Sequence, residues 1–105
     1  MRRGSTPTNV FTCNLDLTGA TVFVTYSQRG LNLVEKTGDD LTITATQTGC
    51  TVSLELSQED TLKFRSGNVM VQIRYVMSDG SADASNIIQT TADAILKDGV
   101  IEYAV

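Results

Sequence analysis

The chain contains no histidine and no tryptophan, and its 105 residues include a single proline and two cysteines. Without histidine, a serine or cysteine nucleophile lacks its usual general base. No Ser-x-x-Lys sequence supplies a lysine base in its place. The four nitrogen or sulfur ligands of a zinc site are also missing. These absences favour a protein that is not an enzyme and that holds neither a metal nor another cofactor.

Long hydrophobic stretches are absent as well, because no apolar run exceeds three residues. A membrane-spanning helix is therefore not expected. The basic start Met1-Arg2-Arg3 is followed by polar residues where a signal peptide needs an apolar stretch. The formal net charge of −4 argues against a nucleic-acid partner, which usually requires a basic face. We expect a protein kept in a cytoplasm until it is assembled into something larger.

The two cysteines, Cys13 and Cys50, are far apart in the sequence and form no Cys-x-x-Cys pair. In a reducing compartment, two free thiols in the core are the favoured interpretation. A disulfide between them is the alternative. The sequence does not decide between these two redox states.

What the chain does contain is a repeated alternation of apolar and polar residues, the period of a strand with one buried face. The segments with this pattern are residues 11–17, 22–27, 31–36, 41–46, 51–56, 68–77 and 84–92. The alternation predicts that Val52, Leu54, Val71, Ile73 and Tyr75 point into a core. It also places Arg74 on the opposite, outward face of its strand.

Turn and cap residues separate these segments. Ser57, with Asp60 three residues later, predicts a short helix that starts with a capping box and ends before Ser66-Gly67. Gln47-Thr48-Gly49 predicts a three-residue hairpin loop, and Asp79-Gly80 predicts a type I′ turn.

Seven short strands in one chain of this length predict an all-β fold, an antiparallel immunoglobulin-like sandwich of two sheets with one short helical turn. A partly open barrel is the alternative. Residues 1–8 are predicted to form a flexible N-terminal arm, and residues 9–105 the sandwich domain. Residues 93–105 are left open between a last strand, a helical turn and a disordered end.

No catalytic, cofactor or metal site is predicted. The pair Asp39-Asp40 suits a polar loop, and Glu59-Asp60 suits the first turn of a helix. The segment from Asp79 to Asp83 is only faintly similar to a calcium loop, because the later glycine and glutamate are absent. The remaining candidates are contacts with a partner protein, and they are Arg74, Val100, Ile101 and Tyr103.

Several motifs together resemble a known group of proteins. They are Met1-Arg2-Arg3-Gly4-Ser5-Thr6-Pro7-Thr8, Leu56-Ser57-Gln58-Glu59-Asp60-Thr61-Leu62-Lys63-Phe64, Asp79-Gly80 with Ala84-Ser85-Asn86-Ile87, and Leu96-Lys97-Asp98-Gly99-Val100-Ile101. They resemble small prophage-encoded proteins associated with the tail or baseplate of phages that infect Gram-positive bacteria. The general pattern is also similar to the N-terminal immunoglobulin-like domain of lactococcal phage upper baseplate proteins.

The resemblance implies a non-enzymatic structural protein of a virion that acts through protein–protein contacts. Its partners are then other virion proteins or further copies of itself, with no nucleic acid and no membrane. It is located in the host cytoplasm during assembly and afterwards in the virion. The alternative function is a small sandwich module that binds a carbohydrate or another surface ligand.

Overall fold

The computed structural model describes residues 1–104, and Val105 lies outside the described residues. Its elements in chain order are β1 (Thr8–Cys13), β2 (Thr21–Gln28), β3 (Leu31–Thr37), a 3-10 turn (Gly38–Asp40), β4 (Leu41–Ala45), β5 (Cys50–Glu55), α1 (Gln58–Leu62), β6 (Gly67–Val76), β7 (Ala82–Ala84) and β8 (Ile88–Ala92). Among these residues, no helix has the length and apolar character needed to cross a membrane.

The strands form two antiparallel sheets. One has the order β1-β5-β4, and the other has the order β3-β2-β6, with β7 and β8 both paired to β6. The chain moves from sheet to sheet at three places, and α1 forms one of these connections. The predicted fold class, an immunoglobulin-like sandwich, is therefore confirmed.

The core lies between the inner faces of the two sheets, as the alternation predicts. Val52, Leu54, Val71 and Ile73 are all buried. The ring of Phe64, just after α1, lies 6.0 Å from the ring of Tyr26 in β2 and fixes the helical connection over the core. Tyr75 is the exception, because it points inward but stays half-buried.

Two predicted strands have different bounds in the structure. β1 ends at Cys13 instead of residue 17, because Asp16 accepts hydrogen bonds from the backbone and hydroxyl of Thr18 and turns the chain out of the sheet. The predicted strand 84–92 is interrupted by a bulge at residues 85–87. Ser85 makes this bulge by bonding both backbone groups of Ile73, at 3.0 and 2.8 Å.

Two turn predictions were wrong. The type I′ turn occurs at Arg29-Gly30, where both φ angles are positive at 54° and 78°. At Asp79-Gly80 only the glycine has positive φ, and the loop has three residues, Ser78 to Gly80. The backbone N–H and the hydroxyl of Ser81 both donate to the Asp79 carboxylate and stabilise this different turn. In the β4–β5 hairpin the Thr46 backbone donates to the Gly49 carbonyl at 2.9 Å, so the loop has two residues, Gln47 and Thr48, instead of three.

Cys13 and Cys50 lie opposite each other across β1 and β5, and both thiols are free. Cys50 is buried, whereas Cys13 is half-buried. Burial, followed by the neighbouring thiol of Cys50, raises the pKa of Cys13 above its ordinary value. The thiol of Cys13 is therefore held in its neutral form at neutral pH.

The predicted capping box at the start of α1 is confirmed. The Asp60 backbone donates to the Ser57 hydroxyl at 3.1 Å, and the Ser57 backbone donates to the Asp60 carboxylate at 2.9 Å. The same carboxylate forms an ion pair with the ammonium group of Lys36 in β3, at 2.8 Å. Burial alone would raise the pKa of the Asp60 carboxyl, but the bonds from Lys36 and Ser57 outweigh it and hold that pKa below its ordinary value.

The sequence assigns residues 1–8 to a flexible arm. Thr8 is the first residue of β1, and residues 1–7 contact the region around α1. The Thr61 hydroxyl donates to the Ser5 carbonyl at 2.8 Å, and the Leu56 backbone donates to the Pro7 carbonyl at 3.0 Å. The guanidinium of Arg3 donates to the carbonyls of Leu62 and Phe64 at the end of α1. Flexibility of the arm stays a prediction, but the arm has defined partners on the domain.

The face assignment of β6 gives a first prediction. Ile73→Ala removes a buried side chain between the two sheets, so the free energy of unfolding should fall by roughly 2–5 kcal/mol. Thr44→Ala changes an exposed position of β4 and should cost less than about 1 kcal/mol. Urea melts measure both values, and equal losses would contradict the assignment.

The pair of Asp60 and Lys36 gives a second prediction. Because the pKa of Asp60 is lower in the folded state than in the unfolded chain, its stabilising effect is present at neutral pH. That effect is lost as the pH falls through the lowered folded-state value. Asp60→Asn should cost roughly 1–2 kcal/mol at pH 7, and wild type and variant should converge in acid.

Urea melts between pH 7 and pH 2.5 measure this convergence. Glu59→Gln is the matched control, since Glu59 is the exposed neighbour in the same turn. A difference between wild type and Asp60→Asn that stays constant over the whole pH range would contradict the assignment.

Candidate functional site

Three surface features could serve as contacts. The first, called here the outer face, is the side of β3-β2-β6 that points away from the core. Arg74 of β6 is exposed on it, opposite Phe23 of β2, as the alternation predicts. The face forms a shallow groove of about 680 Å³ that also includes Glu35, Gln72 and the exposed side chain of Ile87.

The second feature, called here the tail, consists of residues 96–104. Its large apolar side chains are exposed: Leu96 by 107%, Tyr103 by 90%, Ile101 by 56% and Val100 by 51%. Three of the four predicted contact residues, Val100, Ile101 and Tyr103, are therefore exposed in this segment. Arg74 lies apart from them on the outer face.

The tail is tied to the domain by polar groups. The side-chain amide of Gln58, the first residue of α1, bonds both backbone groups of Ile101, each at 2.9 Å. Arg3 forms an ion pair with Asp98 at 3.4 Å. Gln58 thus binds the N–H and the carbonyl of Ile101, as a neighbouring strand would. The apolar side chains of the tail remain exposed.

The third feature, called here the β1 groove, lies between the edge of β1 and the edge formed by β7 and β8. Its volume is about 630 Å³. Phe11 and Cys13 of β1 line it, together with Ile73 and Tyr75 of β6 and Ile88 of β8. Tyr75 is half-buried because this side of the sandwich is not covered.

Two exposed aspartates of the domain are engaged with neighbours along the chain. The hydroxyl of Thr18 and then its backbone N–H lower the pKa of Asp16, and Ser81 lowers that of Asp79 in the same way. No buried polar side-chain atom in residues 1–104 lacks a hydrogen-bond partner. In the same residues, no cluster of three or more acidic or cysteine side chains could hold a metal ion.

Three features of these surfaces were not predicted from the sequence: the role of Gln58, the role of Arg3 and the β1 groove. The sequence marks Gln58 only as a helix residue. Its bond to Ile101 was not predicted because the two residues lie far apart in the chain. Arg3 reads as part of an arm, although it binds both α1 and the tail. The β1 groove exists because β1, β7 and β8 lie at sheet edges. Strand order depends on the whole sandwich, so local sequence patterns do not predict it. The sequence did contain one signal for the tail: Ile101, Tyr103 and Val105 alternate with other residues, which is the pattern of a strand.

No protein-family model and no curated protein matches the chain. Among solved structures, the chain is similar to the V domain of amphioxus IgVJ-C2. The match covers 90% of this chain and 97% of that chain, with 9% identity and a TM-score of 0.36. The strand pairing described above carries the fold assignment by itself.

Proposed function

We propose that this chain is a non-enzymatic structural protein of a phage or prophage virion, in the tail or baseplate, that acts by protein–protein contact and associates with further copies of itself. The observation that carries the proposal is the tail. Four large apolar side chains are exposed within eight residues, while polar groups fix the backbone beside them.

Scattered exposed apolar residues are ordinary on protein surfaces, but a contiguous strip marks a contact site. The tail places four large exposed apolar side chains within eight residues of the chain. Tyr103 alone offers an aromatic ring whose burial in an interface removes roughly 150–250 Å² from water. Gln58 and Arg3 limit the freedom of the tail backbone before any partner arrives, which reduces the entropy lost on binding.

The virion assignment is supported by the motif resemblance given above. It implies a location in the host cytoplasm during assembly and in the virion afterwards. Gene neighbours test this part of the proposal directly: portal, tail and lysis genes beside the coding sequence are expected. A neighbourhood of metabolic genes alone would contradict it.

Removal of the tail gives the third prediction. Deletion of residues 100–105 should leave a protein of monomer mass, below the 11.3 kDa of the intact chain, at concentrations where the intact chain forms larger species. Light scattering after size exclusion measures the mass. Leu31→Ser is the matched control, because it removes a similarly exposed apolar side chain at the β2–β3 turn and should not change association.

Identical masses for the intact and deleted proteins at every concentration would contradict self-association. A fall in melting temperature on deletion, in a protein that is monomeric throughout, would place the tail in its own sandwich and would also contradict the proposal.

A second candidate function is the binding of a surface ligand on the outer face. The groove of about 680 Å³ with one exposed arginine favours it. Arg74 makes no ion pair within residues 1–104, so its guanidinium is free to bind a carboxylate, and Phe23 offers an adjacent apolar ring. The matching ligand is a sugar that carries a carboxylate.

Titration with glucuronate gives the fourth prediction, with glucose as the neutral comparison. Under the assembly function, backbone NMR signals of Phe23, Gln72 and Arg74 should show no saturable shift with either sugar. A saturable shift with glucuronate would favour the ligand function if Arg74→Ala abolishes it. Arg65→Ala, which removes an exposed arginine away from this groove, should then retain the shift.

A further inference from the structure

We propose that the tail of one copy adds as a strand to the free edge of β1 in a second copy and covers the β1 groove there. This inference rests on the proposed function, because it names where the self-association contact lies. Its donor is residues 100–104, and its acceptor is the segment of β1 from Val10 to Cys13.

The acceptor side of the domain is visibly incomplete. The inward-facing residues of β1, Phe11 and Cys13, are only half-buried, whereas Val52 and Cys50 directly opposite them on β5 are completely buried. The two strands lie side by side, so the difference arises from the missing cover beyond β1. One more strand at this edge would bury the same positions.

The backbone of β1 has hydrogen-bonding groups available for such a strand. The Leu56 backbone donates to the Pro7 carbonyl, and in an antiparallel pair the bonded positions recur at every second residue. Phe11 and Cys13 therefore bond to β5. Val10 and Thr12 point their N–H and carbonyl groups outward, to the side on which β1 has no partner strand within residues 1–104.

The edge of β1 also lacks the features that prevent pairing. Natural edge strands are usually blunted by lysine, proline or a bulge. β1 reads Thr-Asn-Val-Phe-Thr-Cys, with no charge and no proline, and its pairing with β5 is unbroken. By contrast, β3 carries Glu35 and Lys36 with a bulge, and the β7–β8 edge is bulged at residues 85–87.

The donor has the matching pattern. Residues 100–105 read Val-Ile-Glu-Tyr-Ala-Val, so Ile101 and Tyr103 share one face of an extended chain. Gln58 occupies the backbone groups of Ile101 on one side. In an extended strand the groups of Glu102 and Ala104 point to the other side, where a second copy can bind them. Five extended residues span about 17 Å, comparable to the uncovered part of β1.

Strand addition of this kind takes its affinity from main-chain hydrogen bonds and its specificity from pockets for alternate side chains. Here the β1 groove, lined by Phe11 and Ile73 among others, would take the alternate side chains Ile101 and Tyr103. Donor and acceptor are different surfaces, so the contact is head-to-tail. Such contacts close into a ring or extend as a filament.

A mixing experiment gives the fifth prediction. Thr12→Pro removes one outward N–H from the acceptor without touching the bonds to β5, and it should weaken self-association at least tenfold. Thr12→Val keeps that N–H and should associate as the wild type does. When Thr12→Pro is mixed with the protein lacking residues 100–105, the two monomers should form a 1:1 dimer, because one supplies the tail and the other the groove.

A second measurement does not depend on the proline variant. A fluorescent peptide of residues 100–105 should bind the tail-deleted protein, and a peptide of the same composition with the alternation scrambled should bind at least tenfold more weakly. Anisotropy gives both affinities. Equal binding of the two peptides would overturn the inference.

The remaining outcomes separate the two proposals. If tail deletion abolishes association but Thr12→Pro does not, assembly through the tail stands and the β1 acceptor is wrong. If Thr12→Pro abolishes association but tail deletion does not, β1 pairs with β1 of the second copy and the donor is wrong. If neither change alters the mass, both the inference and the proposed self-association fail.

Discussion

The free edge of β1 is the constraint from which the main surface features follow. A two-sheet sandwich has two lateral sides, and each must be covered if its core is to be dry. On the side of β3 and β4, the 3-10 turn Gly38–Asp40 links the two strands directly, and Lys36 reaches Asp60. On the side of β1, no such connection within residues 1–104 covers the segment from Val10 to Cys13. As a result, three inward-facing side chains on this side are only half-buried: Phe11, Cys13 and Tyr75.

The two chain ends are organised around this asymmetry. Arg3, Ser5 and Pro7 bind the region of α1, so the N-terminal segment lies at the end of the sandwich where β1 begins. The tail is anchored at that same end, by Gln58 and Arg3. Polar anchors fix the direction of the tail while its apolar side chains remain available. In the proposed assembly, one domain presents a donor and an acceptor at different places, which is the arrangement that a repeating assembly needs.

Sequence patterns predicted what depends on neighbours along the chain. The period-2 alternation of Val52, Leu54, Val71 and Ile73 identified the core, and Ser57 with Asp60 identified the helix start. Features set by residues far apart were missed. The bulge at Ser85 depends on its bonds to Ile73, and the half-burial of Tyr75 depends on which strand lies at the edge. The hydrogen bonds between Gln58 and Ile101 form only when folding brings these distant residues together. The type I′ turn was misplaced because Asp-Gly suits several turns, and the Asp79–Ser81 bonds select another.

The central claim is that the β1 edge and the tail cover each other between copies. Hydrogen–deuterium exchange of the intact protein, followed by residue over a hundredfold range of concentration, measures this most directly. The backbone amides of Val10 and Thr12 should exchange rapidly in dilute solution and become protected together with those of Glu102 and Ala104 as association proceeds. Rapid exchange at Val10 and Thr12 in fully associated protein would contradict the claim.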